Sequence, residues 1–151
     1  MTLEEFNKII SDAIIKEEEA YLFYRDVAKK TKDTNISSLF DGFAKDELSH
    51  KVLLKNYLSG TVKRLVFDTS ADYKVAEAVD MPRLSIDMKP ADAIALAMKN
   101  EEEAMNMYTE FAGLSNDEEQ KQAFLGLAKM EQGHKAKLED LYVGMAFAEV
   151  W

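Results

Sequence analysis

The chain has two histidines, His50 and His134, and each follows a glutamate by three residues: Glu47 and Glu131. Positions three apart share one face of a helix, so each E-x-x-H presents a carboxylate and an imidazole together. Both pairs interrupt apolar stripes. Glu47 and His50 fall among Ile36, Phe40, Phe43, Leu54 and Tyr57; Glu131 and His134 fall among Ala123, Phe124, Leu127, Leu138 and Leu141. Two more glutamates intrude in the same way. Glu17 lies within Phe6, Ile10, Ala13, Ala20, Tyr24 and Val27, and Glu101 within Ala91, Ile94, Ala97, Met98, Ala104, Met105, Tyr108 and Phe111. An uncompensated buried carboxylate costs roughly several kcal/mol, a large part of a domain's stability. E-x-x-H on an inward face is one way of compensating it, by holding a transition metal.

These positions repeat. With a shift of 84 residues, Glu17 maps to Glu101, Tyr24 to Tyr108, Phe40 to Phe124, Glu47 to Glu131 and His50 to His134. Each half therefore reads E-x6-Y on one helix and E-x-x-H on the next. Glu17 and Glu47 stand 15 residues either side of Lys32, as Glu101 and Glu131 stand about Asn116. In an antiparallel hairpin of straight helices such residues share a height. Each tyrosine lies seven residues after its glutamate, on the same face and about 10 Å along the axis. Two hairpins brought together would place four carboxylates and two imidazoles in one layer. Four carboxylate charges balance two divalent cations, and without cations they repel one another. Imidazole with carboxylate suits iron or manganese, with zinc an alternative.

The elements that must position these residues are legible. Thr2-Leu3-Glu4-Glu5 matches a capping box, so a helix is expected from Leu3, fading near Lys29 and Lys30. Glu18 and Glu19 lie off its apolar stripe and read as solvated. Thr31-Lys32-Asp33 reads as a turn. A second helix is expected from about Thr34 to Leu58, ended by Ser59-Gly60. Pro90 suits the first position of a third helix that Gly113 stops. Ser115-Asn116-Asp117-Glu118 reads as a capping box for a fourth. The connection 59–89 holds a β-like run, Val62–Phe67, and a possible short helix, Ser70–Val79, closed by Pro82. Val66, Phe67, Tyr73, Val75 and Val79 make it too apolar for a loose linker, so it is expected to pack on the domain. The tail 143–151 reads as a strand or coil covering the bundle end, or as a subunit contact.

The 151 residues suit one domain with a continuous core, with hairpins at 3–58 and 90–142, the crossover 59–89 and the tail 143–151. A helix of about 28 residues is about 42 Å long, a distance 31 connecting residues can cover. The second and third helices would then run parallel. The expected fold class is all-α. A net charge of −9 leaves no basic stripe for nucleic acid. The absence of cysteine excludes disulfides, thiolate catalysis and any Cys-held iron or zinc centre. The segment MTLEEFNKII is acidic and amphipathic, unlike a signal peptide, and no apolar run is long enough to span a bilayer. A cytoplasmic protein without membrane partners is expected.

The doubled E-x6-Y and E-x-x-H resembles the rubrerythrin branch of the ferritin-like di-iron carboxylate proteins, over roughly residues 3–142. That resemblance implies a ferritin-like four-helix bundle with two iron ions at its centre. By motif position it implies Glu17, Glu47, His50, Glu101, Glu131 and His134 as ligands, with Glu47 and Glu131 bridging. Tyr24 and Tyr108 match tyrosines that stand behind the ligands. It further implies reduction of hydrogen peroxide and a homodimer. Two features depart from the pattern. Full-length rubrerythrins carry a Cys-ligated rubredoxin domain that feeds electrons to the irons. Here the donor is expected to be another molecule, such as a rubredoxin-like protein. Rubrerythrins also carry an extra glutamate one turn beyond the first glutamate of the third helix, where this chain has Ala104.

The leading expectation is thus an oxidoreductase that reduces hydrogen peroxide or dioxygen at a Glu4His2 site. The alternative is a protein that oxidises, buffers or delivers iron without sustained turnover.

Overall fold

A computed structural model of the chain describes residues 1–67, 71–80 and 89–150. Among them lie four long helices: α1 (Leu3–Lys30), α2 (Thr34–Leu58), α3 (Pro90–Leu114) and α4 (Glu118–Val150). A single 3-10 turn spans Ala76–Ala78, and the described residues contain no strand. The fold class is all-α, with the helix content of a ferritin-like four-helix bundle. No helix of the described residues is long and apolar enough to cross a membrane. The chain divides into two compact units, Met1–Leu65 and Val66–Trp151, with the boundary inside the long connection.

The first unit is the hairpin of α1 and α2. The Thr2 hydroxyl accepts from the Glu5 amide at 3.1 Å, as the capping box predicts. The Asp33 carboxylate caps α2, accepting from the amides of Asn35 and Ile36. The two helices run antiparallel, because Phe6 near the start of α1 meets Tyr57 near the end of α2. Close to the turn, Tyr24 packs with Phe40 and Phe43, ring centres 6.0 and 5.6 Å apart. Phe6, Ile10, Ala13, Phe40 and Leu54 are buried, as their stripes predict, with Ala28 and Ala44 buried beside them. Glu18 keeps 38% of its side chain exposed and also meets Lys51 across the hairpin at 2.5 Å.

The second unit pairs α3 with α4. Pro90 stands in the first turn of α3, which runs one residue past Gly113. The capping box at Ser115 is displaced by two residues. The Asp117 carboxylate accepts from the Gln120 amide at 3.0 Å and caps α4. The Ser115 hydroxyl instead donates to the Phe111 carbonyl and closes α3. Near this turn Phe111 and Phe124 pack at 5.4 Å. Ile94, Met98, Leu127 and Leu138 form the apolar core. Helix α4 continues to Val150, through the stretch expected as strand or coil. Val143–Val150 contains no proline, and its one glycine does not break the helix.

The connection differs in detail from its sequence reading. Residues 64–67 form neither strand nor helix, and among the described residues of the connection only Ala76–Ala78 is helical. Leu65 and Ala76 are buried, whereas Val66 is 76% and Tyr73 52% exposed. Pro82 lies outside the described residues. Residues 72–77 do pack within the second unit, and polar anchors hold them more than apolar residues do.

Candidate metal centre

Each hairpin brings its own E…E-x-x-H together. In the first, Glu17 from α1 and Glu47 from α2 are 3% and 2% exposed, so the predicted carboxylates are inside. Glu17, Glu47 and His50 each offer a ligand atom within 4.8 Å of the others. His50 Nδ1 lies 3.9 Å from Glu17 Oε2, and its side chain is 21% exposed. In the second, Glu101 from α3 and Glu131 and His134 from α4 form a like group, again within 4.8 Å. His134 Nδ1 is 3.5 Å from Glu101 Oε2 and 3.7 Å from Glu131 Oε2, with the imidazole 6% exposed.

These separations bear on what the groups can hold. Two ligand atoms each about 2.1 Å from one ion stand roughly 3–4 Å apart, depending on coordination angle. The three histidine–carboxylate distances fall in that range, and beyond the usual length of a direct hydrogen bond. The donor set, hard oxygen with neutral imidazole, fits iron, manganese or zinc. Electrostatics agree. Burial and the neighbouring charge of Glu131 push the Glu101 carboxyl well above the ordinary carboxylate range, although His134 pulls it down. A cation among these groups would offset that cost.

The two tyrosines are buried as the E-x6-Y spacing suggests, Tyr24 at 2% and Tyr108 at 1% exposure. Tyr24 stands in a ring cluster with Phe23, Phe40 and Phe43. Next to Glu101, Glu102 pairs with Lys99 at 2.8 Å and so is engaged elsewhere, while Ala104 supplies no carboxylate.

Two buried charges on α4 escape the sequence reading, in which Glu131 and His134 are the polar intruders on that helix. Lys135 and Glu139 are both fully buried. Lys135 Nζ meets Asp72 at 2.5 Å, Glu77 at 2.7 Å and Glu139 at 3.5 Å. Burial opposes the ammonium charge, but bonds to Asp72 and Glu77 outweigh it and raise the Lys135 pKa. Burial likewise opposes the Asp72 charge, and Lys135 together with the Lys74 amide and ammonium more than offsets it, so the Asp72 pKa is lowered. Asp72, Glu77 and Glu139 also have the spacing of a cation site, but the Lys135 ammonium already fills it. In sequence Lys135 and Glu139 look like an ordinary exposed i,i+4 ion pair. The one available signal was that Lys135 follows Glu131 by four residues, on the inward side of the helix.

No curated protein and no solved structure matches the chain significantly. A family model does: with an all-α chain, two helical hairpins and a Glu/Glu/His group in each, residues 8–142 match Rubrerythrin, and the chain belongs to the rubrerythrin family.

Proposed function

We propose that this chain is a non-haem di-iron oxidoreductase that reduces hydrogen peroxide or dioxygen with electrons from an external donor. The observation that carries this reading is the pair of matching buried Glu/Glu/His groups, one in each hairpin. In the proposal the hairpins join their groups into one Glu4His2 centre for two iron ions, whose charge four carboxylates balance. Glu17, Glu47, Glu101 and Glu131 would supply oxygen ligands. His50 and His134 each supply one nitrogen. The chemistry supplied by a bound ferrous pair is two electrons, enough to break one peroxide O–O bond, with two protons taken up and two waters released. Within their own hairpins Ile10 and Phe40, and Met98 and Phe124, are buried on the helices that carry the ligands. Tyr24 and Tyr108 place buried hydroxyls on the ligand-bearing faces of α1 and α3, where they orient carboxylates.

A second reading is favoured by Ala104 and by the Lys99–Glu102 pair. Ala104 offers no carboxylate one turn beyond Glu101 to follow a change in the charge of the ions, and Glu102 is paired with Lys99. On that reading the protein oxidises, buffers or delivers iron, without repeated turnover.

Anaerobic ferrous titration followed by peroxide, read by absorbance, separates the two. The oxidoreductase reading expects two ferrous ions per chain, oxidised by one peroxide, and repeated cycles once a reductant is added. A single oxidation that no reductant renews supports the second reading. Failure to bind ferrous ion would overturn both.

A further inference from the structure

The two hairpins are repeats, but they spend corresponding residues differently. At the 84-residue shift Glu18 corresponds to Glu102, Lys51 to Lys135, Ile15 to Lys99 and Lys55 to Glu139. In the first hairpin Glu18 and Lys51 bond directly across the helices at 2.5 Å. In the second this cross-hairpin pair is given up, and both partners serve the segment 72–78. Lys135 takes Asp72 and Glu77. Glu102 takes Lys99, whose Nζ also donates to the Ala76 carbonyl at 3.1 Å. Glu139 reverses the charge of Lys55 and accepts three backbone amides, from Tyr73 (3.2 Å), Val75 (2.6 Å) and Ala76 (2.9 Å). Lys74 adopts a left-handed φ of 57° among these amides, which a non-glycine residue sustains only when its surroundings hold it.

This strap grips both helices of the hairpin beside its ligands. Lys99 is two residues before Glu101, and Lys135 immediately follows His134. Charge-assisted bonds anchored on two fully buried side chains, Lys135 and Glu139, fix the height and rotation of a helix more narrowly than apolar packing does. Among the described residues the first hairpin has no corresponding grip. Ile15, where Lys99 would stand, is 55% exposed, and Val52, next to Lys51, is 52% exposed. The ligand groups differ in the same sense: His134 is 6% exposed against 21% for His50.

Resting on the metal-binding reading above, we propose that Lys99, Lys135 and Glu139 are positioning residues. Through the strap 72–78 they preorganise Glu101, Glu131 and His134, so that this group holds a divalent cation more tightly and releases it more slowly than Glu17, Glu47 and His50 do. Outer groups that orient metal ligands typically change affinity by about 10–100-fold when removed.

The test uses Co²⁺ alone, read by its ligand-field absorbance, in two backgrounds of the full chain. His50→Ala leaves the second ligand group intact, and His134→Ala leaves the first. Glu139→Gln should weaken cobalt binding about tenfold and speed its release in the His50→Ala background, and leave the His134→Ala background unchanged. Lys99→Met, made at a partly exposed position, should act in the same direction if Glu139→Gln does not fold. Hydrogen exchange of the amides of residues 73–76 reports whether the strap has been released. Equal weakening in both backgrounds would make the strap a general stabiliser and overturn the proposal. So would unchanged cobalt affinity once the strap amides exchange freely. If the unsubstituted protein binds no cobalt, the metal-binding reading itself fails. If it binds cobalt but reduces no peroxide, only the redox function fails and the strap's role stands.

Discussion

Glu101 sets the chemistry of the second ligand group at the level of single residues. Its carboxyl is held well above the ordinary range by burial and by Glu131. Glu101→Gln removes a charge that the metal-free protein must otherwise bury beside another carboxylate. The metal-free variant is therefore expected to be more stable at pH 8 than its parent, by on the order of 1 kcal/mol. That corresponds to roughly 2–4 °C in melting temperature for a chain of this size. The same variant should bind cation more weakly, so the effect on stability should change sign once metal is added. A variant that melts lower than its parent in both states would show that Glu101 is held by protein partners and not by a cation. Phe40 and Phe124, equivalent positions with no exposed surface, give the contrasting case. Either changed to Ala should cost about 3–5 kcal/mol irrespective of metal, as denaturant unfolding would measure.

At the scale of elements, the caps decide where helices begin. The Asp117 carboxylate, and not the Ser115 hydroxyl, bonds a free amide in the first turn of α4, that of Gln120. Asp117→Ala is expected to lower stability by about 1 kcal/mol. Ser115→Ala should cost less, because it removes one hydroxyl bond to a carbonyl at the end of α3. Paired thermal melts would check the order, and a larger loss for Ser115→Ala would place the cap where the capping box first puts it. The reason the sequence misplaces this boundary is specific. Both Ser115-x-x-Glu118 and Asp117-x-x-Gln120 fit the capping pattern, and only the run of the chain out of α3 selects between them.

At the scale of the whole molecule, pH and metal should act together. Between the ordinary carboxyl value near 4.3 and the raised value of Glu101, folded protein keeps a proton that the unfolded chain has lost. Stability of the metal-free form therefore falls as pH rises through that window, and Glu101's contribution is fully present only below it. Metal should reverse the slope, because it binds deprotonated carboxylate and neutral imidazole. At 100 times its dissociation constant, one ion adds about 2.7 kcal/mol. Melting curves at pH 5 and pH 8, with and without metal, are expected to cross in this way. Parallel curves would mean that the carboxylates are not clustered.

What the sequence determined by itself was periodic and local. Four helical stripes, three of their starts at Leu3, Thr34 and Pro90, and the Glu and His intruders all follow from three- and four-residue spacing. Burial of Glu17, Glu47, Glu101, Glu131 and His134 follows too, since a residue in the middle of an apolar stripe goes where the stripe goes. The tertiary structure decided what depends on partners distant in sequence. Lys135 and Glu139 read as surface charges until a segment about 60 residues earlier supplies Asp72, Glu77 and three amides to receive them. Glu18 reads as solvated, and only the fold brings Lys51 to it across the hairpin. Charged side chains on an i,i+4 pattern satisfy one another in water or satisfy a distant backbone in the interior. The local spacing is identical in both cases, so only the folded chain distinguishes them.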